Sequence, residues 1–394
     1  MGPDLHSALG HRLGRREFLR YTAILGGAGV LAACKKAVTT APTLPRSSGS
    51  PTPTHPPISQ ELGNLEIFDW AGYEVKDLWK PYAAQFPGVT PHWTTYKDDQ
   101  FGYSKVSANP DAATFDIAHP CHYFWPDWVA IKKSDGTPVL QPWDTSLISN
   151  FGQINPAFIP SGQFSGQQYY VPIDWGFAAP LYRTDKVHPT DESWSLIFDS
   201  RYKGRITWWD SFDMFIPAGL LNGIPEPFNM TDQQIADMKS FLISKKSLVK
   251  TLWTIDPVTE AMANGDAWIA YAWPLHYVEL KGKKIPSVYM NPVEGRTAWY
   301  CGFGLFSGTK NYYHAHDYVN AWISAQSGEW LVNNYAYGSL NTAIDLTAVS
   351  KDLIKVFSLD DPTVLAEPKS HPEKNIPPDL RSKYQAAWDE VKAA

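Results

Sequence analysis

Apolar and polar positions follow two alternating periods along most of this chain. Leu65-Glu66-Ile67-Phe68 reads as a strand. Val75, Leu78, Trp79 and Tyr82 then recur at the spacing of one face of an amphipathic helix, and Pro87-Gly88 closes it. Residues 91–96 and 114–118 predict a second and a third strand. Thr231 and Gln234 have the spacing of a capping box that opens a helix running to about Ile243. Residues 256–264 predict another helix, stopped by Gly265, with a buried strand at 267–272 after it. Residues 317–325 and 328–335 predict two late helices. Strands alternating with helices in this way predict an α/β fold with largely parallel sheets.

Two stretches depart from that alternation. Residues 21–33 are continuously apolar, but 13 residues fall short of the roughly 20 a helix needs to cross a bilayer. Gly14-Arg15-Arg16-Glu17-Phe18-Leu19-Arg20 precedes the run, and Leu31-Ala32-Ala33-Cys34 ends it. Paired arginines, a short apolar run and small residues before a cysteine resemble a twin-arginine export signal ending in a lipobox. Residues 1–33 are thus predicted to be a signal peptide and Cys34 to carry a lipid that anchors the chain to a membrane outside the cytoplasm. In residues 34–61, Pro42, Pro45, Pro51, Pro53, Pro56 and Pro57 are spread among Ser, Thr and Gly, a composition that makes a solvated spacer. The body that follows, residues 62–394, exceeds what one core usually supports, so two lobes are predicted.

Charge excludes one large class of function. The chain has 34 basic and 40 acidic residues; removing residues 1–33 takes away four Arg and two acids, leaving 30 and 38 and a net charge of −8. With no basic stripe, such a body has nothing to neutralise nucleic-acid phosphates. Cysteine is too sparse for a disulfide framework, since only Cys121 and Cys301 accompany Cys34.

Six segments in order resemble the spermidine/putrescine-binding proteins of ABC importers. They are Ile67-Phe68-Asp69-Trp70-Ala71-Gly72-Tyr73, Phe115 through Tyr123, Tyr170 through Gly176, Gly265 through Trp273, Thr297 through Cys301, and Ala336 through Asn341. The resemblance implies a two-lobed periplasmic-binding-protein-like fold of type II with the ligand in the cleft between lobes. One lobe would hold residues 62–176 and 300–345, and the other 177–299 and 346–394. It further implies a small organic solute, permease and ATPase subunits as partners, and neither a cofactor nor catalysis. Trp70, Tyr73, Tyr123, Trp273, Trp299 and Tyr337 fall on the family's cleft-lining aromatic positions, where ring faces attract alkylammonium groups.

The acids depart from the family pattern. Cys301 stands where a cleft carboxylate is expected and Cys121 where a hydroxyl is expected. Asp210, with Asp213 near it, and Asp174 are the nearest candidates to replace the missing charge. A buried ammonium without a carboxylate is costly, so a singly charged or quaternary amine competes with a linear polyamine. Cys121 and Cys301 could form a disulfide, bind a soft metal, or be small buried residues. A rival reading is a transition-metal protein built on His119, Cys121 and His122; strand alternation argues against their convergence. Asp98-Asp99 and Asp360-Asp361 are read as solvated turn residues rather than as a catalytic pair.

Overall fold

The computed structural model describes residues 55–394 except 255–257, 362–363 and 366–368. The paired arginines, the apolar run, Cys34 and most of the Pro-rich segment lie outside the described residues. The last residues of that segment pack on the body. His55 stacks on Tyr312 with ring centroids 3.7 Å apart, and the Glu61 carboxylate accepts from the backbone N–H groups of Tyr313 and His314. Among the described residues, no helix is long and apolar enough to cross a membrane.

One 12-stranded sheet organises the molecule. Its main path uses β1 (Glu66–Trp70), β2 (His92–Tyr96), β3 (Ile117–Ala118), β4 (Tyr170–Arg183), β5 (Ile206–Trp209), β6 (Val249–Trp253), β7 (Ile269–Ala272) and β8 (Arg296–Phe306), in the order β2-β1-β3-β8-β4-β7-β5-β6. The two ends of this path are parallel: β1 with β2 and β3, and β5 with β6 and β7. The centre is not. The long strands β4 and β8 run antiparallel from Thr297 opposite Ala178 to Gly304 opposite Tyr170, with an irregularity between Cys301 and Gly302. Two parallel half-sheets joined by a pair of crossing strands make the expected α/β fold, but with a mixed sheet, because the chain crosses between halves on neighbouring strands.

Local chemistry explains where elements begin and end. The periodic face of residues 75–82 forms a 3₁₀ turn at Lys76–Trp79 followed by a helix at Lys80–Gln85. Pro81 divides them, since it lacks an N–H to donate to the carbonyl of Asp77. Thr231 and Gln234 make the expected capping box on a helix spanning Asp232–Lys246. The late helices are longer at their N-terminal ends than their periodicity indicates, at Tyr312–Trp322 and Ala325–Tyr335. The C-terminal helix, Pro378–Ala393, packs on Asp232–Lys246 and also reaches the opposite half of the sheet. Its buried Arg381 donates to Asp127 Oδ2 at 2.7 Å and lies 4.1 Å over the Phe124 ring.

Candidate functional site

A cavity of about 340 Å³ opens where β4 and β8 cross between the half-sheets. Segments from both halves line it, so the sheet path itself brings the wall residues together. Six aromatic ones were expected from sequence: Trp70, Tyr73, Tyr123, Trp273, Trp299 and Tyr337. Trp70 ends β1, Trp273 follows β7, and Trp299 lies in β8. Trp273 meets Trp70 edge-on with centroids 6.3 Å apart and Trp209 at 5.3 Å, and stacks on His276. Trp299 meets Tyr337 edge-on at 4.8 Å. The rings therefore brace one another as well as facing the space.

Trp299 owes its place to a glycine. In the ladder it stands opposite Gly176, and a Cβ at Gly176 would overlap its indole. Gly176→Ala is expected to push Trp299 from its place and weaken ligand binding about tenfold, with little change in circular dichroism; a fluorescence titration checks this.

Cys121 and Cys301 also line the cavity, and a disulfide joins them. Of the three possibilities the sequence leaves for this pair, the structure has the first. Titration of the unfolded 62–394 body is expected to find no free thiol before reduction and two after.

The other two expected residues stand elsewhere. Asp174 is fully buried behind the wall, where Oδ2 accepts from the Tyr73 hydroxyl at 2.7 Å. Asp210 follows Trp209 at the end of β5, and alternation turns it away from the cavity once Trp209 faces in. It accepts from Trp388 Nε1 at 2.9 Å and lies 3.4 Å from Lys392 Nζ.

The carboxylates that do face the cavity are Asp99, Glu279 and Glu373. Asp98-Asp99 is not a solvated pair. Asp98 caps the helix Asp99–Ser107 through Phe101 N at 2.6 Å, which turns Asp99 inward, where it is 3% exposed and accepts from Cys121 N at 2.9 Å. Burial pushes Asp99 up to about 7 and the neighbouring Asp213 up to about 6. Burial also raises Glu373 well above the usual carboxylate range, and its Oε2 is buried with no hydrogen-bond partner among the described residues. The available signal for Asp99 was the capping Asp98 before it, whose side chain accepts from the Phe101 N–H three residues on. Glu373, in a Pro-containing stretch distant from the six segments, carried none. Among the lining residues there is no Lys or Arg, and burial pushes His276 down to about 3, leaving it neutral.

The metal reading is not favoured. His119 lies between two carboxylates, the Cys121 sulfur is in the disulfide, and His122 stacks on Tyr300 at 4.1 Å. His119, Asp174 and Cys301 bring three ligand-type atoms within 4.8 Å, but the Cys301 sulfur is already bonded.

Comparison with known proteins adds to this geometry. The sequence profile described as bacterial extracellular solute-binding protein matches residues 77–358. The spermidine/putrescine-binding periplasmic protein of Escherichia coli is 20% identical over 287 residues, which are 72% of this chain and 80% of that protein. A spermidine/putrescine ABC transporter substrate-binding protein of Streptococcus pneumoniae superposes with a TM-score of 0.66 at 18% identity, covering 84% of this chain and 98% of the other. A periplasmic binding protein of A. tumefaciens B6, solved with glucopine, gives 0.67 at 15% identity, covering 84% and 99%. At such identities the solved structures establish the type II binding-protein fold and nothing finer.

Proposed function

Because the chain belongs to the bacterial extracellular solute-binding proteins, we propose that it captures a small amine-bearing cation by closing two lobes on it, as the substrate-binding component of an ABC importer. One observation carries the reading. The cavity combines nine Trp and Tyr side chains with three carboxylate residues and no Lys or Arg. Aromatic faces attract alkylammonium groups by about 0.5–2 kcal/mol each, and a buried carboxylate supplies the charge partner a desolvated ammonium requires.

Asp99 and Glu373 supply the acid missing at position 301, and Glu279 adds a carboxylate from the helix Pro274–Gly282. A ligand with two cationic ends, such as a linear diamine, is thereby restored beside a quaternary amine. A second reading has one specific support. The indole N–H groups of Trp209 and Trp299 are buried without partners among the described residues, a fit for a ligand that carries an acceptor oxygen as well as an amine. A protein of the same fold, from A. tumefaciens B6, was solved in complex with glucopine.

The lobes would be residues 62–176 with 300–345 and residues 177–299 with 346–394, hinged on β4 and β8. Cys34 would hold the body at the outer face of a membrane, and permease and ATPase subunits would receive the solute. The family is one of binding proteins, and the reading assigns no bond chemistry to the site.

A thermal-shift screen of residues 62–394 at pH 8 tests the reading. Diamines, choline, amino acids and sugars form the panel, and a ligand at 100 times its Kd adds about 2.7 kcal/mol of apparent stability. Shifts confined to amine-bearing compounds support the reading; shifts confined to sugars overturn it.

A further inference from the structure

A buried charged cluster lies directly behind the cavity wall. Asp69 in β1, His119 just after β3, and Asp174 in β4 are each 0% exposed. His119 Nδ1 lies 2.8 Å from Asp69 Oδ1, and its Nε2 lies 3.4 Å from Asp174 Oδ1. Burial opposes charge on the imidazole, but the two carboxylates outweigh it and push His119 up to about 10. As an imidazolium, it is the counter-charge without which two carboxylates could not share this apolar surrounding of Phe303 and Trp322. Asp69 Oδ2 and Asp174 Oδ1 accept no hydrogen bond among the described residues.

Both neighbouring wall residues hang on this cluster. The Tyr73 hydroxyl donates to Asp174 Oδ2 at 2.7 Å, and the Tyr73 ring meets the His119 ring edge-on at 5.2 Å. Trp70 donates through its backbone N–H to Asp69 Oδ1 at 2.7 Å and through Nε1 to the His119 carbonyl at 3.0 Å. Tyr96 donates its hydroxyl to the same carbonyl.

We propose that Asp69, His119 and Asp174 form a positioning centre that holds Tyr73 and Trp70 in the orientation in which they receive the ligand. The donated hydrogen bond to a carboxylate also enriches the Tyr73 ring in electron density, which strengthens its attraction for a cation. The affinity arm of this inference rests on the amine reading above; the orientation arm does not.

A double-mutant cycle separates positioning from plain stability. Asp174→Asn removes the charge with nearly the same shape, and Tyr73→Phe removes the hydroxyl while leaving the cluster intact. With spermidine and choline as calorimetric probes at pH 8, each single change is expected to weaken binding about tenfold, and the double change no more than about twofold further. Losses that multiply to about a hundredfold, or no loss in either single variant, overturn the proposal. If Asp174→Asn fails to fold, wild-type affinity in Tyr73→Phe overturns it alone. Crystal structures of ligand-free wild type and Asp174→Ala, which removes the acceptor of the Tyr73 hydroxyl, form the orientation arm. The Tyr73 ring is expected to leave its wild-type rotamer, and an unmoved Tyr73 and Trp70 overturn the proposal. If neither probe binds the wild type, the amine reading fails and the ligand-free comparison still decides this one.

Discussion

Asp99→Asn combined with Glu373→Gln is expected to weaken binding of a cationic ligand at pH 8 by about a hundredfold or more, since removing one side of a buried charge pair costs about 2–5 kcal/mol. Both amides keep size and hydrogen-bonding capacity, so the loss measures charge. The same carboxyls make wild-type binding pH-dependent. In the empty cavity burial holds Asp99 up to about 7, and Glu373 is raised well above the usual range. A bound cation favours the ionised forms, so binding releases protons and affinity rises between about pH 5.5 and 8. Stability of the ligand-free protein runs the other way. A carboxyl raised by folding contributes stability that is fully present below its unfolded value of 3.8 and is lost as pH rises through about 7 for Asp99 and about 6 for Asp213. Asp99→Asn should therefore flatten both profiles, and denaturant midpoints and calorimetry across that range check the two slopes together. A wild-type affinity independent of pH contradicts the assignment of these acids.

Arg381→Ala is expected to lower the stability of the ligand-free body by about 3–5 kcal/mol, the usual cost of leaving one member of a buried ion pair alone. Arg381 is 4% exposed and Asp127 is 7% exposed, so water screens little of their contact at 2.7 Å. The guanidinium also covers the Phe124 ring at 4.1 Å, and that packing is lost with it. Because the C-terminal helix packs on Asp232–Lys246 while Asp127 lies in Trp125–Ala130, the pair ties the two halves of the sheet together. Asp127→Asn/Arg381→Met, which removes both charges, should recover most of the loss in urea denaturation. A double variant as unstable as Arg381→Ala would show instead that the guanidinium's contact with the Phe124 ring, which Met cannot replace, carries the contribution.

Six of the nine cavity aromatics were legible through segments that resemble the family's, whereas Trp209, Tyr271 and Tyr335 were not singled out. Trp70 ends, and Trp273 directly follows, a strand that its own periodicity marks, whereas Trp299 stands in a strand that only the family resemblance singles out. The carboxylate half was not legible, because its geometry is tertiary. Asp99 faces inward only because Asp98 takes the capping position, and Glu373 arrives on a segment whose strand, Ser370–Pro372, pairs with β8 far away in sequence. His119 illustrates the same limit. With Pro120, Cys121 and His122 beside it, the run resembles a metal-binding stretch, yet its partners are Asp69 and Asp174, some 50 residues away on other strands. The mixed sheet has a similar origin, since alternating strands and helices cannot reveal that the chain crosses between halves on two adjacent antiparallel strands.

Calorimetric titration of residues 62–394 at pH 8 with paired isosteres bears most directly on the central claim that the cavity selects a cation. Choline is set against 3,3-dimethyl-1-butanol, and 1,4-diaminobutane against 1,4-butanediol. Each pair shares shape and differs in charge. The cavity described here predicts that at least one amine binds and that its neutral partner binds about a hundredfold more weakly or not at all. Equal binding of an amine and its neutral isostere, or binding of neither amine by a protein that responds to a sugar, would contradict it.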